Sequence, residues 1–315
     1  MYKRFLTLFI ITILLFQLGC SNQSKETRTR ILVSPKGLVH SFWVTVKAGA
    51  DSAGKEFNAE IIWKGPNQET DIAVQIAIVE DYVNKGIDAI VIAACDAQGL
   101  IPVLKNAHTK NIPIITIDSG IDSDFARSVI ATDNTVAAQK AAHELVKIIN
   151  EEGKVACIPF IPGAATSIWR EQGFVEEIKK YPKIKLLPIR YSQSDVAIGM
   201  AVVEDILTAH PDVKGIFAAN EAGTIGTIQA LKTKNKIGKV KVIGFDAAPN
   251  EIKSLKAGEI DGLIVQDPFK MGYEGVKAAI KSMQNETIPK RIDTGVYVVT
   301  KENLSQPAIQ RLISH

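Results

Sequence analysis

The stretch ETDIAVQIAIVEDYVNKGIDAIVIAA, residues 69–94, decides the fold. Ile72, Ile76, Val79 and Val83 recur at intervals of four, three and four, which puts them on one helix face. Lys85-Gly86 ends that period. AIVIAA at 89–94 follows, with no polar position in it. An amphipathic helix leading into an all-apolar strand marks a βαβ unit, whose parallel strands are covered on both sides.

The alternation continues outward. Strands are expected at 30–34, 59–63, 112–118 and 128–132, and again at 154–160, 184–191, 213–220, 240–246 and 259–267. Helices are expected around 135–151, 167–180, 195–209, 221–234, 248–257 and 268–284. The fold class is therefore α/β, with doubly wound parallel sheets. A chain of 315 residues has room for two domains. The two halves share this plan without a detectable sequence repeat.

The chain opens on Lys3 and Arg4, then an apolar run, FLTLFIITILLFQL, at 5–18. That is an export signal, too short to span a bilayer comfortably. Leu18-Gly19-Cys20 resembles the end of a bacterial lipoprotein signal. Residues 1–19 are thus expected to be a signal peptide, Cys20 to be lipidated and 20–29 to form a tether. The protein should then sit in the periplasm or at the cell surface, held to the membrane by lipid alone. The formal net charge is +3, and Lys3 and Arg4 belong to the leader. The rest is nearly neutral, which argues against a nucleic-acid partner. Cys95 and Cys157 lie in apolar runs and read as small buried hydrophobes.

One stretch imitates a phosphate-binding loop. In HSFWVTVKAGADSAGKEF, residues 40–57, Gly49, Gly54 and Lys55 fit G-x-x-x-x-G-K. Val46, Ala50, Ala53 and Phe57, however, form a helical stripe running through both glycines. Glu56 also stands where such a loop needs Ser or Thr for magnesium. The glycines therefore belong to an amphipathic helix, and no nucleotide is expected. The five histidines show no metal-ligand spacing, and no catalytic motif is present. Neither a cofactor nor a metal is expected.

Ligands of open parallel sheets bind at the carboxyl ends of the strands. Those ends carry His40, Phe42 and Trp43, then Asp118-Ser119, Trp169 and Arg170, Asn220-Glu221, Phe245-Asp246, and Gln266-Asp267. Asp, Asn, Gln and Arg suit hydroxyls that both donate and accept. Flat aromatics suit the apolar face of a sugar ring. Helix capping competes as an explanation for Asp and Asn after strands, most strongly at Asp96 and at Ser194-Asp195.

SFWVTVKAGA, GIDAIVIAACDAQGL, NIPIITID, VIATDN, ILTAHPDVKGIFAANE, KVKVIGFDAAP and GLIVQDPFKMGYEGV together carry a family resemblance. The chain resembles the periplasmic sugar-binding proteins of ABC importers, in the ribose-binding and LacI-like group, from residue 30 to about 300. The resemblance implies two α/β lobes joined by three crossings, near Thr132-Asp133, Gln266-Asp267 and Asp293-Thr294. It assigns 30–131 with 267–292 to an N-terminal lobe and 132–266 with 293–315 to a C-terminal lobe. It also implies a ligand set of His40, Phe42, Trp43, Asp118, Asn220, Asp246 and Gln266, to which the strand-end reading adds Ser119, Trp169 and Arg170. Ser119 stands where a ribose binder has Arg, Ser194 where it has an aromatic, and His40 where it has Asn. The ribose contacts are thus not kept, and another pentose or hexose, a polyol or a furanone-like sugar is expected.

The expected function is capture of a monosaccharide or polyol by hinge closure and delivery to an ABC permease, by a monomer without enzymatic activity. The alternative is a sensor presenting its closed form to a receptor kinase or chemoreceptor. A sugar hydrolase using Asp118 and Asp246 is the weaker reading, because Asn220 and Gln266 beside them suit holding hydroxyls.

Overall fold

The computed structural model describes residues 28–314; the leader and Cys20 lie outside them. The first part of the chain forms β1 (Arg30–Ser34), α1 (Ser41–Glu56), β2 (Glu60–Trp63), α2 (Ile72–Asn84), β3 (Ala89–Ile92), α3 (Ile101–Thr109), β4 (Ile114–Ile117) and β5 (Ser128–Ala131). The plan recurs in α4 (Asn134–Ile148), β6 (Gly153–Ile158), α5 (Ala165–Ile178), β7 (Ile184–Leu186), α6 (Val196–Ala209), β8 (Val213–Ala218), α7 (Glu221–Thr233), β9 (Lys241–Phe245), α8 (Pro249–Ala257) and β10 (Gly262–Val265). The chain then adds α9 (Pro268–Met283), β11 (Arg291–Asp293), β12 (Tyr297–Val299) and α10 (Pro307–Ile313).

These strands make two sheets of matching topology. One runs β2-β1-β3-β4-β5-β11 and the other β7-β6-β8-β9-β10-β12. All neighbours are parallel except β12, which is antiparallel to β10. The chain passes between the sheets after β5, after β10 and between β11 and β12. Each sheet reverses its winding beside its first strand, β1 or β6, and such a switch point opens a crevice at the carboxyl edge.

Alternation of side chains explains the core. Ile31, Val91 and Ile115 pack on one face of the first sheet, and Leu32, Ile90 and Ile114 on the other. Both faces are covered, so every residue of β3 and β4 is buried. β7 stops at Leu186, short of the expected 191, because Pro188 lacks the N–H that would continue the ladder. β11, β12 and α10 are too short to leave a periodic trace.

The stripe on α2 differs from its expectation in one informative way. Val79 and Val83 are buried, but Gln75 is wholly buried too, while Ile72 and Ile76 are half-buried. Gln75 Nε2 donates to the carbonyls of Pro35 (3.0 Å) and Ala93 (2.8 Å), and its Oε1 accepts from the amide of Cys95 (2.9 Å). These backbone groups end β1 and β3 and have no sheet partner there. A polar residue therefore wins a core position, because orphaned buried amides cost more than a lost apolar contact.

Gly49 and Gly54 now have a packing explanation. A Cβ on Gly49 would overlap the carbonyl of Phe269 on α9, and one on Gly272 would overlap the carbonyl of Val46 on α1. The two helices cross with their backbones in contact, and a Cβ on Gly54 would collide with Ile61. Gly272→Ala should therefore destabilise the protein by about 1–3 kcal/mol. The check is a lowered chemical-denaturation midpoint, with Gly120→Ala as the reference at a site where a Cβ meets only the Trp169 ring at 3.8 Å.

Candidate functional site

The carboxyl ends of both sheets face each other across one cleft. β1 delivers Lys36, and the first turn of α1 delivers Phe42 and Trp43, with His40 just before it. Glu69 precedes α2, and Asp118 follows β4. From the other lobe come Phe160 after β6, Arg170 on α5, Asn220 and Glu221 at the β8–α7 junction, Asp246 after β9 and Gln266 after β10. These twelve side chains line one central pocket. It thus gathers His40, Phe42, Trp43, Asp118, Arg170, Asn220, Asp246 and Gln266.

Two other expected residues sit elsewhere. Ser119 is buried and does not line the pocket, and its Oγ has no hydrogen-bond partner. Trp169 faces a separate cavity of about 400 Å³ at another mouth of the cleft, with Asp96 and Asp122. In turn, Lys36, Glu69 and Phe160 escaped the sequence reading. Lys36 and Phe160 do lie just beyond the ends of β1 and β6, where the strand-end rule could have found them.

The charges in the cleft pair with one another. Lys36 Nζ lies 3.0 Å from Asp118 Oδ2 and donates to Thr166 Oγ1 at 3.0 Å. Apart from this ion pair, Asp118 Oδ2 has no donor. The ammonium also sits 5.1 Å from the Phe160 ring centre. Burial works to lower the Lys36 pKa, but Asp118 and Glu69 outweigh it and raise it. Burial likewise opposes the charge of Glu69. Lys36, with hydrogen bonds from His40 and Trp43, holds that carboxylate well below the usual range. Trp43 Nε1 donates to Glu69 Oε1 at 2.8 Å.

Arg170 is only 3% exposed. Its Nε donates to Asn134 Oδ1 (2.7 Å) and its Nη1 to the carbonyl of Ala219 (2.7 Å), with the guanidinium 3.6 Å above the Phe245 ring centre. Asp246 accepts from Gln266 Nε2 at 2.7 Å and from the Glu221 amide at 3.2 Å. Burial pushes its pKa up to about 6, against the pull of Arg170 and the Gln266 bond. Gln266 Oε1 is buried without a partner. Asn220 combines both readings of a strand-end Asn: its Oδ1 caps α7 through the Gly223 amide (2.9 Å), while its Nδ2 donates to Ser194 Oγ (2.8 Å).

The lobes also bond directly to each other. Glu221 accepts from the amides of Ser41 (3.0 Å) and Phe42 (3.1 Å), the free donors at the start of α1. Ser194 Oγ donates to Glu69 Oε2 at 2.9 Å, and Ala97 donates its amide to the carbonyl of Gly163 at 3.1 Å. This is a closed arrangement. Among the described residues no cluster of side chains suits a metal ion, and no helix is long and apolar enough to cross a membrane.

Two hinged lobes closing over a ring of hydrogen-bonding groups define a solute-binding protein. The particular family follows from comparison: the periplasmic binding protein domain family matches residues 31–287, and the chain belongs to it. A solute-binding protein from Agrobacterium radiobacter in complex with D-arabinose is 37% identical, with a TM-score of 0.89, covering 91% of this chain and 99% of that one. One from Agrobacterium vitis with bound D-fucose is also 37% identical, with a TM-score of 0.88, covering 90% and 99%. The ribose import binding protein of Escherichia coli is 27% identical over 300 residues, covering 95% of this chain and 99% of that protein.

Two outcomes follow from the pairing. Glu221→Ala leaves the first amides of α1 without their interlobe acceptor, and charge-assisted bonds of this kind contribute about 1.5–3 kcal/mol. The variant should open the cleft, seen as a larger radius of gyration in small-angle scattering; an unchanged radius would contradict the assigned contact. His40 is the pH-sensitive partner. Burial lowers its pKa, but Glu69, Glu221 and Asp246 raise it above the ordinary value. Its contribution to stability is thus complete below about pH 6.5 and lost as pH rises through the raised value. Tm should therefore fall as pH rises above about 6.5, and His40→Gln should flatten that slope.

Proposed function

We propose that this protein is the extracytoplasmic solute-binding component of an ABC importer and that it captures one neutral polyhydroxylated molecule, a monosaccharide or related polyol. The carrying observation is a pair of buried acceptors on opposite lobes of an aromatic-walled cleft, Gln266 Oε1 with no donor and Asp118 Oδ2 with only the Lys36 ion pair. A sugar hydroxyl supplies the missing donor. The sugars bound by the structural relatives are of that class.

Binding follows from exchange of partners. Within the cleft Lys36 contacts Asp118, Gln266 bonds Asp246 and Arg170 bonds Asn134. A hydroxyl-rich ring replaces several of these contacts and adds donors for the two unsatisfied oxygens. Phe42 and Phe160 offer faces or edges to the apolar side of the ring. The interlobe bonds of Glu221 and Lys36 then hold the closed form that the permease receives. Asp118 and Asp246 are held by Lys36, Gln266 and a backbone amide, which suits grip rather than catalysis. The leader and Leu18-Gly19-Cys20 support an exported, lipid-anchored form.

Calorimetric titration with D-arabinose, D-fucose, D-allose, D-ribose and xylitol tests the reading. At least one should bind and be recovered chemically unchanged. Asp118→Ala should weaken that ligand by about 10- to 100-fold, the effect of one lost hydrogen bond to a charged group. Silence across the panel from folded protein would sink the reading.

A further inference from the structure

The central pocket adjoins a larger annex of different chemistry. At the centre the cavity measures only about 20 Å³, room for about one water-sized sphere. Phe42, Glu221, Asp246 and Gln266 line that space and also line a second cavity of about 470 Å³. The second cavity thus begins where the polar site ends. Its volume lies within the range of small-molecule sites, roughly 300–1,000 Å³.

Away from the shared residues its walls are mostly apolar. Val44 on α1, Ile252 on α8, Val265 at the end of β10 and Leu312 on α10 face it. These come from both lobes and from the C-terminal helix. Val44 is 66% exposed, an unusual position for a valine one turn from the site. The annex also coexists with closure: Glu221, on its wall, keeps both bonds to α1. An occupant of this space does not need the lobes to part there.

The polar centre already serves a plain monosaccharide's hydroxyls and ring face, and such a sugar leaves these apolar walls uncovered. From this juxtaposition we infer that the cleft takes a sugar bearing an apolar substituent, an alkyl or aryl glycoside, with its ring among Asp118, Asp246 and Gln266 and its substituent in the annex. The inference rests on the sugar reading above and extends it. The annex shares Phe42, Glu221, Asp246 and Gln266 with the polar site, and this adjacency favours one occupant spanning both over an independent second ligand.

The test compares free D-arabinose, D-fucose, D-allose and D-ribose with their α- and β-methyl and 4-nitrophenyl glycosides by calorimetry. For at least one sugar, a 4-nitrophenyl glycoside should bind about tenfold or more tighter than the free sugar, through buried apolar area. Val44→Ser lies on an exposed helix face and should fold normally; Leu312→Ser, at a half-buried position of α10, reports from the other lobe. Each should remove most of the gain and leave the free sugar's Kd within about twofold. Free sugars that bind while every glycoside binds equally or more weakly overturn the inference and leave the sugar reading intact. A gain that survives both variants also overturns it, because the substituent would then lie elsewhere. Failure of free sugars and glycosides alike removes both readings together.

Discussion

Closure of the cleft removes water from two permanent cations and four acidic side chains, and this constraint governs the site. Lys36 and Arg170 stand among Glu69, Asp118, Glu221 and Asp246. A buried charge without a partner is costly, and removing one member of a buried pair typically costs about 3–5 kcal/mol. The nearest charge partners lie within one lobe, Lys36 with Asp118 and Glu69 and Arg170 with Asp246, and contacts across the cleft complete the set when the lobes meet. Lys36 reaches Thr166 across the cleft, and Glu221 reaches the start of α1. The surface ion pairs, such as Lys47–Asp51 at about 40% exposure, contribute little by comparison. The closed form is thus specified at the site itself rather than over the rest of the interface.

The duplicated topology explains how these groups arrive together. Asp118 follows β4 and Asp246 follows β9, and each amide donates to the next strand, at Ile130 and Ile264. Both residues adopt positive φ, 53° and 84°. Among residues with a side chain, Asp and Asn tolerate that region best. One residue type therefore satisfies the backbone turn and supplies a carboxylate to the cleft, once in each lobe. The asymmetry lies in their partners. Lys36 attends Asp118, while Gln266 and Arg170 attend Asp246, whose burial pushes it up to about 6 against both partners.

The alternation of strands and helices was legible because burial on both sheet faces leaves long apolar runs and one-sided stripes. Where a polar group served the backbone, the pattern misled: Gln75 occupies a core position that periodicity assigns to Ile72 and Ile76. The phosphate-loop imitation fails already on its helical stripe and on Glu56, but the reason for the glycines was not legible. Gly49 answers to Phe269, far along the chain, and Gly54 to Ile61 on the next strand, and sequence spacing carries no trace of such contacts. Most of the site was legible from the strand-end rule. Glu69 was not, since a glutamate in a loop looks solvated until the opposite lobe covers it; Lys36 stands just past the end of β1 but reads as a solvated lysine for the same reason. Trp169 shows the converse: neighbouring Arg170 on α5 points into the centre, while the indole lies toward another mouth.

The balance within the cleft sets what a ligand must be. Acidic groups outnumber the permanent cations, and both cations are already engaged, Lys36 by Asp118 and Thr166, Arg170 by Asn134 and Ala219. An anionic ligand would have to take one of these cations from its partner and lie beside the remaining carboxylates. At 4 Å a like-charge contact costs about 4 kcal/mol in a protein-like dielectric. A neutral polyol meets no such penalty, since its hydroxyls donate to oxygens that lack donors and accept from Lys36 and Asn220. The surplus of acceptors over free donors therefore selects ligands rich in hydroxyl protons. Affinity then depends on how many self-pairings the ligand replaces with bonds of equal quality, rather than on the number of contacts it makes.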